Sequence, residues 1–64
     1  MTVNGEQVVL KDGITLETFI AESGYDIKKT AVELNREIVP KSRYAETVLC
    51  DSDRLEVVTF VGGG

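Results

Sequence analysis

Polar and apolar residues alternate at both ends of the chain, and a helical period intervenes once between them. Residues 2–10 predict a β-hairpin with Asn4-Gly5 at its turn. That pair is the strongest two-residue hairpin signal, because both central positions of a type I′ turn need positive φ. Lys11-Asp12-Gly13 marks a second turn. The period then shifts: Leu16, Phe19 and Ile20 fall at i, i+3 and i+4, one helical face. Thr15 stands at the N-cap, Glu17 favours the helix N-terminus through the dipole, and Gly24 supplies a C-terminal stop. The pattern predicts a helix over 16–23.

Beyond it, Thr30–Leu34 reads as a strand with Val32 and Leu34 on one face. Asn35-Arg36-Glu37 reads as a turn, 38–39 as a short strand, and Pro40 as a strand end, since proline donates no ladder hydrogen bond. Residues 41–47 form a polar connection with one helical turn around Tyr44, and Asp51-Ser52-Asp53 turns the chain again. Residues 54–61 give the longest strand. Leu55, Val57, Thr59 and Val61 share one face of it, and Arg54, Glu56, Val58 and Phe60 the other.

The order β-β-α-β-β-β predicts an α+β domain: a mixed sheet of four to five strands packed on one short helix. The last strand is apolar on one face and half apolar on the other, which places it centrally. Pairing it with the N-terminal strand makes a parallel pair, and the helix supplies the long crossover such a pair needs. This arrangement is a β-grasp, the ubiquitin-like architecture. The chain divides into a β-grasp domain over 1–61 and a flexible glycine tail over 62–64.

Composition narrows the function. The 64 residues carry seven Lys and Arg against eleven Asp and Glu, a net charge of −4. A chain this short buries only about 60% of its unfolded surface, so an enzyme with its own substrate cleft lacks material. The basic residues are scattered at Lys11, Lys28, Lys29, Arg36, Lys41, Arg43 and Arg54, unlike the clustered cations that release counterions from nucleic acid. Apolar runs are too short to span a membrane. Met1 leads into a strand-like segment without the basic start and apolar core of a signal peptide. Cys50 is the single cysteine, whereas a small secreted domain normally carries several. A cytoplasmic protein with no nucleic-acid or membrane partner is expected.

Side-chain catalysis is poorly supported. The chain lacks histidine, so a Ser-His or Cys-His pair is excluded. Cys50 lies between Leu49 and Asp51, with no cation in sequence beside it to activate a thiolate, and reads as a packing residue or spectator. Asp51 and Asp53 lack the further ligands of a calcium loop and read as a solvated turn; no metal site is expected.

The tail is the exception. Gly62-Gly63-Gly64 adds nothing to a core and carries high conformational entropy. It is either an incidental end or a handle. Without Cβ atoms it can enter a narrow channel and present its carboxylate to another protein's active site. Activated as an acyl-adenylate, that carboxylate becomes open to a sulfur or nitrogen nucleophile.

Residues 31–40 (AVELNREIVP), 44–49 (YAETVL), 51–58 (DSDRLEVV) and 59–64 (TFVGGG) together resemble the ThiS family, the sulfur-carrier proteins of thiamin biosynthesis. The resemblance covers essentially the whole chain and is densest after Ala31. Family members often have glycine where this chain has Arg36, a departure confined to a turn. The resemblance implies that an E1-like adenylating enzyme uses Mg-ATP to adenylate Gly64, with Gly62 and Gly63 as its tail. A persulfide from a cysteine desulfurase system then converts Gly64 to a thiocarboxylate, and thiazole synthase receives the sulfur. The chain itself is then a protein cosubstrate that binds no cofactor. A sulfur carrier for molybdopterin synthase or another thiolation pathway, a ubiquitin-like modifier, and a passive interaction module are the competing readings. If the helix covers the Leu55 face, Val58 and Phe60 stand exposed beside the tail and form a docking patch for the adenylating enzyme; alternatively Phe60 completes the core.

Overall fold

Thr15 opens the single α-helix of the described residues, in a computed structural model that describes residues 1–60. Its extended backbone and its hydroxyl, which accepts the Thr18 N–H at 3.2 Å, make the N-cap that its position suggests. Helix α1 runs Leu16–Glu22, one residue shorter than expected, because Ser23 is the C-cap. Gly24 follows at φ 86°. Its N–H bonds the Ala21 carbonyl and the Tyr25 N–H the Ile20 carbonyl, a Schellman closure that needs the left-handed residue at this point.

Five strands form one mixed sheet: β1 Thr2–Val3, β2 Glu6–Gln7, β3 Thr30–Leu34, β4 Glu37–Ile38 and β5 Arg54–Thr59, in the order β2-β1-β5-β3-β4. As the pattern required, β5 is central and parallel to β1; its other neighbour is β3, in antiparallel pairing. Leu16, Phe19 and Ile20 of α1 pack against Val3, Val32, Leu55 and Val57, and Met1, Ile14, Tyr44 and Leu49 close the core. Burial holds the Tyr44 phenol above its usual pKa. Among the described residues no helix is long and apolar enough to cross a membrane.

Several boundaries differ from expectation. The hairpin strands are two residues each, far shorter than 2–10. After the Val8 N–H bonds the Met1 carbonyl the chain leaves the sheet, and Val9 is 93% exposed. Ile27–Lys29 forms a 3₁₀ turn that carries no apolar period to signal it; the turn expected around Tyr44 is Lys41–Arg43, with Tyr44 as its C-cap. Strand β5 ends at Thr59, which is exposed, and the expected boundary after Val61 falls outside the described residues.

The second hairpin has a two-residue turn, not the expected three. Asn35 and Arg36 sit at φ 51° and 70°, pairing Leu34 with Glu37 and moving the short strand one residue earlier. An arginine at positive φ is strained, which is why the sequence pattern did not suggest the tighter turn. Arg36→Gly is therefore expected to raise stability by about 0.5 kcal/mol, the relief of left-handed strain less the added unfolded-state entropy. Urea denaturation would read this as a higher midpoint at unchanged slope; a lower midpoint would show that the arginine side chain contributes more than the strain.

Both turn asparagines also hold β5. The Asn4 side chain accepts the Val57 N–H at 2.8 Å and donates to the Val57 carbonyl at 3.2 Å, adding a rung to the parallel ladder. The Asn35 side-chain oxygen accepts the Arg54 N–H at 2.9 Å, while the Asn35 backbone N–H donates to the Arg54 carbonyl at 2.8 Å. The central strand is thus clamped from both sides by residues whose sequence signature is a turn.

Candidate docking face and tail root

Strand β5 sorts its residues by alternation. Leu55 and Val57 point into the core, with Leu55 wholly buried; Glu56 and Val58 point out from the opposite sheet face. Because α1 covers only the Leu55 face, Val58 and Phe60 are both left 56% exposed. Phe60 therefore does not complete the core. It still belongs to the ladder: its N–H donates to the Lys29 carbonyl at 2.7 Å, one step beyond the Thr30–Thr59 pair.

The outer face is broader than the sequence suggested. Ala31 lies opposite Val58, and Glu33 is flanked by Glu56 on β5 and Ile38 on β4. Ile38 is 77% exposed and was not anticipated as part of this surface. The two-residue turn sets its register, so the signal lay in reading Asn35-Arg36 as a type I′ pair. Ala31, Glu33, Ile38, Glu56 and Val58 border a depression of about 100 Å³. That is well below the roughly 300–1,000 Å³ of small-ligand sites.

The other candidates fall elsewhere. Cys50 is exposed in the turn before β5, and its N–H donates to the Asp53 carboxylate at 2.8 Å. The other carboxylate oxygen of Asp53 accepts from the Asn35 side chain at 2.9 Å, so Asp53 pins two turns together. Among the described residues no three His, Cys, Asp or Glu side chains group as a metal site would require. Gly62, Gly63 and Gly64 lie outside the described residues.

Comparison with known proteins agrees with this architecture. The model of the ThiS family matches residues 1–64. The sulfur carrier protein ThiS of Bacillus subtilis is 43% identical, over all of this chain and 98% of its own length. A thiazole synthase of Paramagnetospirillum magneticum is 47% identical over the whole of this chain, which spans only 20% of that protein's length. Among solved structures, the crystal structure of the thiamine biosynthesis protein ThiS from Geobacter metallireducens matches with a TM-score of 0.80 and 27% identity, over 98% of this chain and 96% of that one. An outer sheet face left bare by the helix, a β-grasp order with β5 at its centre, and a family match along the full sequence converge: the chain belongs to the ThiS family.

Proposed function

We infer that this chain is a sulfur carrier of thiamin biosynthesis, a cosubstrate acted on by other enzymes. One juxtaposition carries the reading: the exposed pair Val58 and Phe60 stands at the end of the central strand, with only Val61 between it and Gly62-Gly63-Gly64 in sequence. An E1-like adenylating enzyme docks on that pair and takes the tail into its active site. A Gly64 carboxylate oxygen attacks the α-phosphorus of Mg-ATP; the bond to pyrophosphate breaks and an acyl-adenylate forms. The terminal sulfur of a persulfide, supplied by a cysteine desulfurase system, attacks the acyl carbon and AMP leaves. A second thiol attacks the sulfur distal to the acyl group, forming a disulfide and releasing the thiocarboxylate. Thiazole synthase receives the sulfur. The match of this whole chain to part of a protein named thiazole synthase supports a partner of that type. The domain binds no cofactor of its own, Mg-ATP belonging to the adenylating partner, and it works in the reducing cytoplasm.

Mass spectrometry of the C-terminal peptide, from protein purified from its own cells, tests the proposal. Sulfur in place of one Gly64 carboxylate oxygen is expected. Oxidation of Met1 or Cys50 adds nearly the same mass, so the shift must be localised to the tail. A plain carboxylate, even after incubation with the adenylating enzyme, ATP and a sulfur donor, would sink sulfur carriage.

Docking has its own test. Truncating a central interface anchor costs about 2 kcal/mol, or roughly thirtyfold. Phe60→Ala should therefore raise the KM of the carrier in adenylation by about that factor, while its half-exposed ring costs little in thermal unfolding. Lost stability with normal adenylation of the folded fraction would end the docking role.

A further inference from the structure

The outer face is ordered along β5, and its order has a direction. The β3–β5 register reads in rungs: Glu33 opposite Glu56, Ala31 opposite Val58, and Lys29 joined to Phe60 by the backbone bond. Adjacent outward rungs lie about 7 Å apart, so the acidic rung stands about 13 Å behind the aromatic one.

The two ends carry opposite charge. Glu33 and Glu56 face each other on neighbouring strands, an arrangement that destabilises a sheet. Arg54 relieves it weakly, its guanidinium 3.8 Å from Glu56 with both side chains about half exposed or more, and Glu33 makes no ion pair among the described residues. At the other end the Lys41 ammonium donates to the Lys28 backbone carbonyl at 3.2 Å, which seats its charge on the turn that carries Lys28 and Lys29, where the Lys29 carbonyl accepts the Phe60 N–H. None of the three makes an ion pair among the described residues. Asp26 lies beside them, with its carboxylate turned onto the Lys28 backbone N–H at 3.0 Å. In a chain of net charge −4, three unpaired lysines at the root of the tail are a local reversal of sign.

We propose that this face is an electrostatically keyed dock, fitting a protein partner whose apolar patch carries a basic side chain, arginine by geometry, against Glu33 and Glu56 and an acidic side chain against Lys28, Lys29 and Lys41. The proposal rests on the docking reading above and names the partner's chemistry. A guanidinium can bridge two facing carboxylates, each taking one edge of its planar fork. An apolar strip alone permits the partner to sit in either sense along β5. The sign reversal permits one, with the tail leading into the partner's channel, and it speeds encounter at low ionic strength.

The test is the KM of the full chain in ATP–pyrophosphate exchange, measured from low to high salt with the adenylating enzyme of the same organism. The variants are Glu33→Gln/Glu56→Gln and Lys28→Gln/Lys29→Gln/Lys41→Gln. Each set is expected to raise KM about tenfold at low salt and to flatten its salt dependence. Phe60→Ala should raise KM at every salt concentration alike. The glutamine pair should also melt about 2–4 °C higher, since it removes the facing like charges, and this separates lost docking from lost folding. If Phe60→Ala raises KM and either charge set leaves KM and its salt slope unchanged, the keyed dock is overturned and the docking reading stands. If no variant changes KM, both fall.

Discussion

Deleting Gly63 and Gly64 is expected to abolish adenylation while leaving the melting temperature of the domain unchanged. Among the described residues the core runs from Met1 to Val57. The proposed reaction, by contrast, takes place on the tail itself. Deletion transfers the carboxylate to Gly62, retracting it by about 7 Å in an extended chain. Misplacement by about 1 Å already costs on the order of a hundredfold, so exchange should fall by at least about a thousandfold. A single alanine appended after Gly64 should do the same from the other direction, by moving the carboxylate forward and adding a Cβ. ATP–pyrophosphate exchange and thermal unfolding on the same samples separate the two consequences. A truncated chain that still supports exchange would show that Gly63 and Gly64 are incidental to adenylation.

Leu55→Ala is expected to act in the opposite way. Leu55 is wholly buried on the central strand, paired with Val3 on one side and Leu34 on the other. Removing its three terminal carbons opens a cavity that a sheet clamped at Asn4 and Asn35 cannot close, and the cost should be about 3 kcal/mol. A domain of this size has only roughly 3–10 kcal/mol to lose. The melting temperature should fall by about 15–20 °C, with any loss of adenylation accounted for by the unfolded fraction. A drop of only a few degrees would mean that the sheet relaxes around the site. Set beside Phe60→Ala, the pair would separate a face that holds the fold from the face proposed to meet a partner.

Much of this was legible in the residues. The switch from alternation to the Leu16, Phe19, Ile20 spacing placed the helix within one residue, and two-sided apolarity placed the last strand centrally. The faces of β5 followed from parity alone. What escaped was of two kinds. Some was local conformation at a cost: Arg36 at positive φ is a choice that propensity argues against, and the register of β4, hence Ile38 on the outer face, hung on it. The rest was long-range pairing of side chain with backbone. Asn4 and Asn35 announce turns, and only the assembled sheet turns their amides toward Val57 and Arg54. The opposition of Glu33 and Glu56 likewise exists only once two segments are placed in register.

The position of β5 also governs how the molecule comes into being. Its partners lie far away along the chain, since Thr2 and Val3 pair with Arg54 and Leu55. Until residues 54–59 arrive, β1 and β3 have a vacant lane between them and two rows of backbone groups with no neighbour. Closing so long a loop before any contact rewards it slows the search, and a nascent chain leaving the ribosome gains its central lane late. During that interval the open lane accepts any passing extended segment, its own or another chain's, so yield on expression should be set more by the wait for β5 than by the stability of the finished fold.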